Sequence, residues 1–311
     1  MRHLRNFDDA ATETDSLVTI GVFDGVHRGH QSLVRDLVER ARAARRKAIA
    51  VTFFPHPDKV LDKTSERYYL TTPEKRAEFL LALGLDYVIT LPFDESIRQL
   101  SASAFVDRLV GDLRMRELWV GADFALGFQR EGDVPYLRAQ GAARGFTVNA
   151  VALVSADDER DLISSSRIRE CLRRGDVSMA REMLGRAYAL EGTVVAGDGR
   201  GRGIGVPTAN LAIWGEQLVP ANGVYATWVQ LGDDSYMAAT NIGRRPTFSG
   251  DNITVEAHLL DFSGDIYGEK AELRFEQRLR AEQRFNGLEE LVAQIDKDIA
   301  ATRRLLRVVR G

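Results

Sequence analysis

The chain has 311 residues, 44% of them apolar and 28% charged, with a net charge of −3. That length accommodates two domains that fold without metal or disulfide staples, and the slightly acidic balance gives no general pull toward nucleic acid or anionic membrane. The single cysteine, Cys171, excludes an intramolecular disulfide and fits a reducing compartment.

No apolar run approaches the roughly 20 residues that span a bilayer. The first fifteen residues lack the apolar core of a secretory signal. A soluble, cytoplasmic protein is expected; an oligomer is compatible with this composition.

Residues 17–23 predict a buried strand, and residues 29–46 a helix with Leu33, Leu37 and Val38 on one side. Residues 47–54 predict a second strand. Thr72 and Pro73 read as N-cap and first position of a helix that Gly84 ends. Further short strands are expected at 87–91, 118–120 and 146–153, with helices at 101–112 and 134–144 between them. Such alternation argues for a parallel sheet with helices on both faces. Two short helices follow, at 165–174 and 177–184; Asp176 caps the second and Gly185 stops it. The domain boundary is expected there, giving 1–185 and 186–311.

The period then changes. Residues 224–231, 252–259 and 271–279 alternate apolar and polar side chains, separated by turn clusters such as Gly232-Asp233-Asp234. This predicts a small antiparallel β-barrel. A last helix is expected from Asn286, with Glu289 completing a capping box.

The first chemical signal is Gly21-Val22-Phe23-Asp24-Gly25-Val26-His27-Arg28-Gly29-His30, which runs from a strand into a helix. Its glycines let backbone N–H groups approach a phosphate, and the helix dipole adds positive potential. His27 and His30, three residues apart, can both donate to one phosphate. Nucleotidyl transfer needs in-line positioning and stabilisation of charge on the α-phosphate, and an attacking phosphate needs no base. Ser164-Ser165-Ser166-Arg167 opens a later helix as a second anion trap, suited to leaving pyrophosphate. Neither a P-loop nor Gly-x-Gly-x-x-Gly is present.

The second signal is the loop from Gly197 through Arg202 and Gly203, followed by Pro207-Thr208-Ala209-Asn210. Its glycines and arginines can wrap phosphates. Thr208 and Asn210 share one face of an extended segment and can help hold Mg²⁺ with ATP oxygens. A kinase acting on an alcohol also benefits from a carboxylate base. Glu256, on the polar face of 253–259, is the candidate.

These motifs, with Thr52-Phe53-Phe54-Pro55-His56-Pro57, Gly121-Ala122-Asp123-Phe124, Asn241-Ile242-Gly243 and Arg280-Ala281-Glu282-Gln283-Arg284-Phe285, resemble the bacterial bifunctional riboflavin kinase/FMN adenylyltransferase family over about residues 16–305. The resemblance implies a Rossmann-like nucleotidyltransferase of the His-x-Gly-His class followed by a riboflavin kinase barrel with a C-terminal helix. His27 and His30 would hold ATP phosphates, with Gly21, Phe23, Asp24 and Gly29 beside them. Ser164, Ser165 and Arg167 would grip the triphosphate from the other side. His56, Pro57 and Asp123 would lie near the flavin of FMN. In the barrel, Gly197, Arg202, Gly203, Thr208 and Asn210 would bind Mg-ATP. Glu256 would face the riboflavin 5′-hydroxyl, and Arg280 the flavin. Two positions depart from the family: Ala125-Leu126 stands where Arg-Phe is usual, and Arg244 where a small residue is frequent.

Two other readings compete. In one, only the adenylyltransferase is active and the barrel is a flavin- or nucleotide-binding module. In the other, the run Arg40, Arg42, Arg45, Arg46 and Lys47 contacts nucleic acid.

Overall fold

In the computed structural model, which describes residues 1–10, 12–61, 67–151, 163–197, 205–247 and 250–309, the chain forms two units, Met1–Ser165 and Ser166–Gly311. The first contains β1 (Arg2–Leu4), β2 (Ser16–Ile20), α1 (Arg28–Ala43), β3 (Lys47–Phe54), α2 (Pro57–Val60), α3 (Pro73–Ala82) and β4 (Tyr87–Pro92). It continues through α4 (Glu95–Arg98), α5 (Ala102–Asp112), β5 (Met115–Gly121), the ribbon β6 (Ala125–Leu126) and β7 (Gly132–Asp133), α6 (Val134–Arg144) and β8 (Thr147–Val151).

Six strands lie in the order β1-β4-β3-β2-β5-β8, every neighbouring pair parallel. All five residues of β2 are buried, because helices cover both faces of the sheet. Leu17 joins a core with Val34 and Leu37 of α1 and Leu80 of α3. Val18 and Ile20 join the opposite core with Val106 and Leu109 of α5 and Leu137 of α6. The chain leaves β2 toward β3 and β4 on one side and reaches β5 and β8 on the other. The switch in direction therefore falls beside the C-terminal end of β2, where open sheets bind ligands.

The second part contains α7 (Ser165–Arg174), α8 (Val177–Leu184), β9 (Tyr188–Val195), β10 (Ala209–Ile213), β11 (Gly223–Leu231), β12 (Asp234–Thr247), β13 (Gly250–Leu259), β14 (Lys270–Arg280) and α9 (Leu288–Val309). Its strands close an antiparallel barrel in the order β10-β13-β12-β11-β14-β9. Tyr225, Thr227, Thr240 and Phe275 fill the interior and are fully buried. The two threonine hydroxyls satisfy each other at 2.6 Å, as buried polar groups must. On the outer face α9 sets Leu306 over Ala226 and Trp228.

In the second unit α8 packs against β9 and β14. The last helix starts at Leu288, two residues after Asn286, and the glutamate that accepts from the Asn286 N–H at 2.9 Å is Glu290, in place of Glu289. The basic run at 40–47 is largely paired. Arg40 and Arg46 meet the buried Glu117 at 3.0 and 3.7 Å, and Arg42 and Lys47 meet Asp86 at 3.0 and 3.5 Å. Neutralised in this way, it is a poor footprint for phosphate backbones.

A largely buried ion pair ties α9 to the barrel. The Arg280 guanidinium donates to Asp298 at 2.8 and 3.0 Å, with side-chain exposures of 15% and 8%. Removing one partner strands a buried charge, so Asp298→Ala is expected to lower stability by about 3–5 kcal/mol. A fluorescence-detected urea titration checks this, and an unchanged midpoint would contradict it.

Candidate functional site

In the first unit, β2 ends at Ile20 and a six-residue loop leads to His27, the N-cap of α1. The loop departs from ordinary backbone: Phe23 and Val26 have φ of +53° and +40°, beside Gly25 at +80°. Non-glycine residues hold such angles only when their surroundings enforce them. The Asp24 carboxylate accepts from the Leu70 N–H at 3.0 Å and the Thr71 N–H at 3.2 Å. The Ser165 hydroxyl donates to the Asp24 carbonyl at 2.8 Å. Asp24 and Ser165, expected at ATP, are thus committed at least partly to shaping the loop.

His27 and His30 come together. Their rings stack with centroids 3.6 Å apart and 19° between planes. His27 Nδ1 accepts from the His30 N–H at 3.4 Å and caps the helix. Phe23 meets His30 edge-on at 5.1 Å. Among the described residues, His30 Nδ1 is buried and without a hydrogen-bond partner. Burial, then His27, then Arg76 hold the basicity of His30 well below the ordinary histidine range. Lowered in this way, the ring is held in its neutral form at pH 7. Gly21 lies against the Phe23 ring, and Gly29 against the His27 ring with the Ile163 carbonyl beyond. The segment at Ile163 to Ser165 therefore borders the histidine loop. Arg167 lies in the first turn of α7.

His56 and Asp123 occupy the loops after β3 and β5, the two strands that flank β2. His56 caps α2 through Nδ1, which accepts from Asp58 N–H at 3.0 Å, and Pro57 begins that helix. Tyr68 meets the His56 ring edge-on at 5.0 Å. Asp123 is exposed. Ala125 and Leu126, the positions that depart from the family, form β6, and Arg130 reaches back to the Asp123 carbonyl at 3.0 Å.

In the barrel, register places Asn210 of β10 and Asn241 of β12 on either side of Glu256 of β13. Residues directly opposite across strands share a face. The same row continues through Val224 to Arg280. Glu256 thus sits on the outside of the barrel, since the inward positions belong to residues such as Thr240, Val255 and Ala257. Gly197 lies against the Asn210 amide; a Cβ there would come within 2.1 Å of it. His258 Nδ1 bonds the Pro207 carbonyl at 2.7 Å and fixes the segment that carries Thr208. Arg202 and Gly203 lie outside the described residues. Arg280 is held by Asp298 and stands over the Phe285 ring at 5.7 Å. Arg76, Asn241 and His258 were not singled out as site residues in the sequence. Only the register of the folded strands brings Asn241 beside Glu256.

Sheet, histidine pair and barrel together place the chain among α/β nucleotidyltransferases that carry a C-terminal β-barrel. Residues 9–167 match the FAD synthetase family model and residues 184–306 the riboflavin kinase model. The bifunctional riboflavin kinase/FMN adenylyltransferase of Pseudomonas fluorescens is 40% identical over 299 residues, 93% of this chain and 92% of that protein. Its counterpart in Listeria monocytogenes is 36% identical over 297 residues, 95% and 94% of the two chains. The crystal structure of a macrolide-efflux protein from Streptococcus pneumoniae matches with a TM-score of 0.89 at 31% identity, covering 97% of this chain and 98% of that one. Among the described residues no helix is long and apolar enough to cross a membrane. The chain belongs to the bifunctional riboflavin kinase/FMN adenylyltransferase family.

Proposed function

We propose that the barrel transfers the γ-phosphoryl of ATP to the riboflavin 5′-hydroxyl, giving FMN and ADP, and that the parallel-sheet unit joins FMN to the AMP of a second ATP, giving FAD and pyrophosphate. The observation that carries the second step is the stacked His27–His30 pair at the α1 N-terminus, with a buried, unpartnered Nδ1. An FMN phosphate oxygen attacks the α-phosphorus, and the bond to the β-phosphate breaks. His27, His30 and the first N–H groups of α1 stabilise charge on the α-phosphate as it develops. Ser164 and Arg167 take the pyrophosphate side, and His56, Pro57 and Asp123 the FMN side. Gly21, Phe23, Asp24, Gly29 and Ser165 shape the loop.

For the kinase step, Glu256 accepts the hydroxyl proton as the oxygen attacks the γ-phosphorus. Thr208 and Asn210 offer two neutral oxygens to Mg²⁺, a set that suits an ion arriving with ATP oxygens already bound. Bound there, Mg²⁺ would neutralise charge on the β- and γ-phosphates. Gly197, Arg202 and Gly203 would contribute to holding those phosphates. Arg280, fixed by Asp298, orients the flavin side of the same row. Small molecules are the partners, and the unpaired Cys171 fits the cytoplasm.

Each half-reaction is measured alone: riboflavin with Mg-ATP should yield ADP, and FMN with Mg-ATP should yield pyrophosphate. A chain that adenylylates FMN but leaves riboflavin untouched would reduce the barrel to a binding module. Gly197→Ala adds a sharper check. The new methyl displaces the Asn210 amide, and a displacement of about 1 Å at a positioned group costs about 10²-fold. The kinase kcat/KM for ATP should fall by that order while FMN adenylylation is unchanged; a wild-type kinase rate would remove Asn210 from ATP binding.

A further inference from the structure

Arg76 of α3 is fully buried. Its guanidinium donates to the Val22 carbonyl at 2.8 Å and the Phe53 carbonyl at 3.0 Å, while its Nε is buried with no partner among the described residues. Val22 lies in the loop that precedes His27, and Phe53 lies at the end of β3, before His56. One side chain therefore bridges the two strand ends from which both candidate histidine loops depart. The Val22 carbonyl also accepts from the Thr52 hydroxyl at 2.9 Å. Arg76 and the Leu70–Thr71 backbone, which grips Asp24, hold the positive-φ segment from the same side of the chain.

Neutral carbonyls do not require a charged donor, and burying a guanidinium is costly. The cation has a second use. Of the groups around His30, the stacked His27 and Arg76 both disfavour its protonated form and Phe23 is neutral; burial lowers the basicity of Arg76 itself, while Asp24, Tyr69 and Glu74 favour its charged form. A guanidinium starts from so high a basicity that it keeps its charge at pH 7 even when burial lowers it, and a positive charge there suits an incoming triphosphate.

We propose that Arg76 is a positioning residue for adenylyl transfer: its fork locks the Val22 and Phe53 carbonyls so that His27 and His30 keep their donor geometry, and its charge stands behind His30 to attract the triphosphate. This rests on the adenylyltransferase reading of the first unit.

The test uses the full chain with Arg76→Met and Arg76→Lys. FMN adenylylation and riboflavin phosphorylation are measured side by side, together with the NMR titration of the His30 ring. Arg76→Met should lower adenylylation by about 10²-fold, leave phosphorylation unchanged and shift the His30 titration upward, because a neighbouring cation is gone. Arg76→Lys should keep the His30 titration in place yet still slow adenylylation, since one ammonium cannot reproduce the two-carbonyl fork. Wild-type adenylylation with an unmoved His30 titration in Arg76→Met would overturn the proposal. Should that variant fail to fold its first unit, Arg76→Lys decides alone: slowed adenylylation supports the assignment and a wild-type rate overturns it. A wild-type chain that makes no FAD would overturn the adenylyltransferase reading itself, and the His30 titration would still judge where the Arg76 charge acts.

Discussion

Replacing His27 with alanine should remove FAD synthesis and spare FMN synthesis. Three things depend on this imidazole. It caps α1 by accepting from the His30 N–H, it stacks on the His30 ring at 3.6 Å, and in the proposed mechanism it is one of two side-chain donors for the α-phosphate. Removing a single charge-stabilising donor costs on the order of 10²–10³ in rate. Here the second donor also loses its support, so the loss should reach at least the upper end. His27→Ser separates the contributions. Serine restores a good N-cap but supplies no imidazole, so it should recover the stability of the unit and not its activity. Flavin separation after incubation with FMN and Mg-ATP reads the first activity, and incubation with riboflavin reads the other. Equal loss of both activities would argue against two separate sites.

Glu256→Gln should do the converse. The substitution preserves shape and the face shared with Asn210 and Asn241, but an amide cannot take the hydroxyl proton. A lost general base costs about 10²–10⁴-fold, so riboflavin phosphorylation should slow by two orders of magnitude or more. FAD formation from supplied FMN should continue. The KM for ATP should move little if Glu256 acts on the hydroxyl and not on the nucleotide. An unchanged kinase rate would remove Glu256 from the mechanism and leave the barrel as a binding module.

What the sequence revealed divides by range. His27 and His30 were legible because both the glycine-rich turn and the helix start that pairs them lie within ten residues. The barrel was legible through the two-residue alternation of 224–231, 252–259 and 271–279, which became β11, β13 and β14. The three residues of β1 carry too little pattern to read as a strand. They form one only because β4 offers a parallel edge. Arg76 reads locally as an ordinary helix arginine, and its partners lie 54 and 23 residues away. Arg280 is a similar case: expected at the flavin, it also closes an ion pair with Asp298, on a helix whose approach no local motif announces. The short-range pairing of the two histidines was therefore readable, while the buried charges of Arg76 and the Arg280–Asp298 pair emerged only from the fold.

Two sites on one chain, the product of one being the substrate of the other, is the central claim. The most direct measurement is a single incubation of the purified chain with riboflavin, ATP and Mg²⁺, sampled over time with the flavins separated. FMN should appear first, and FAD should follow as FMN accumulates. FMN that accumulates with no FAD, or riboflavin that stays unchanged while supplied FMN is converted, would contradict it.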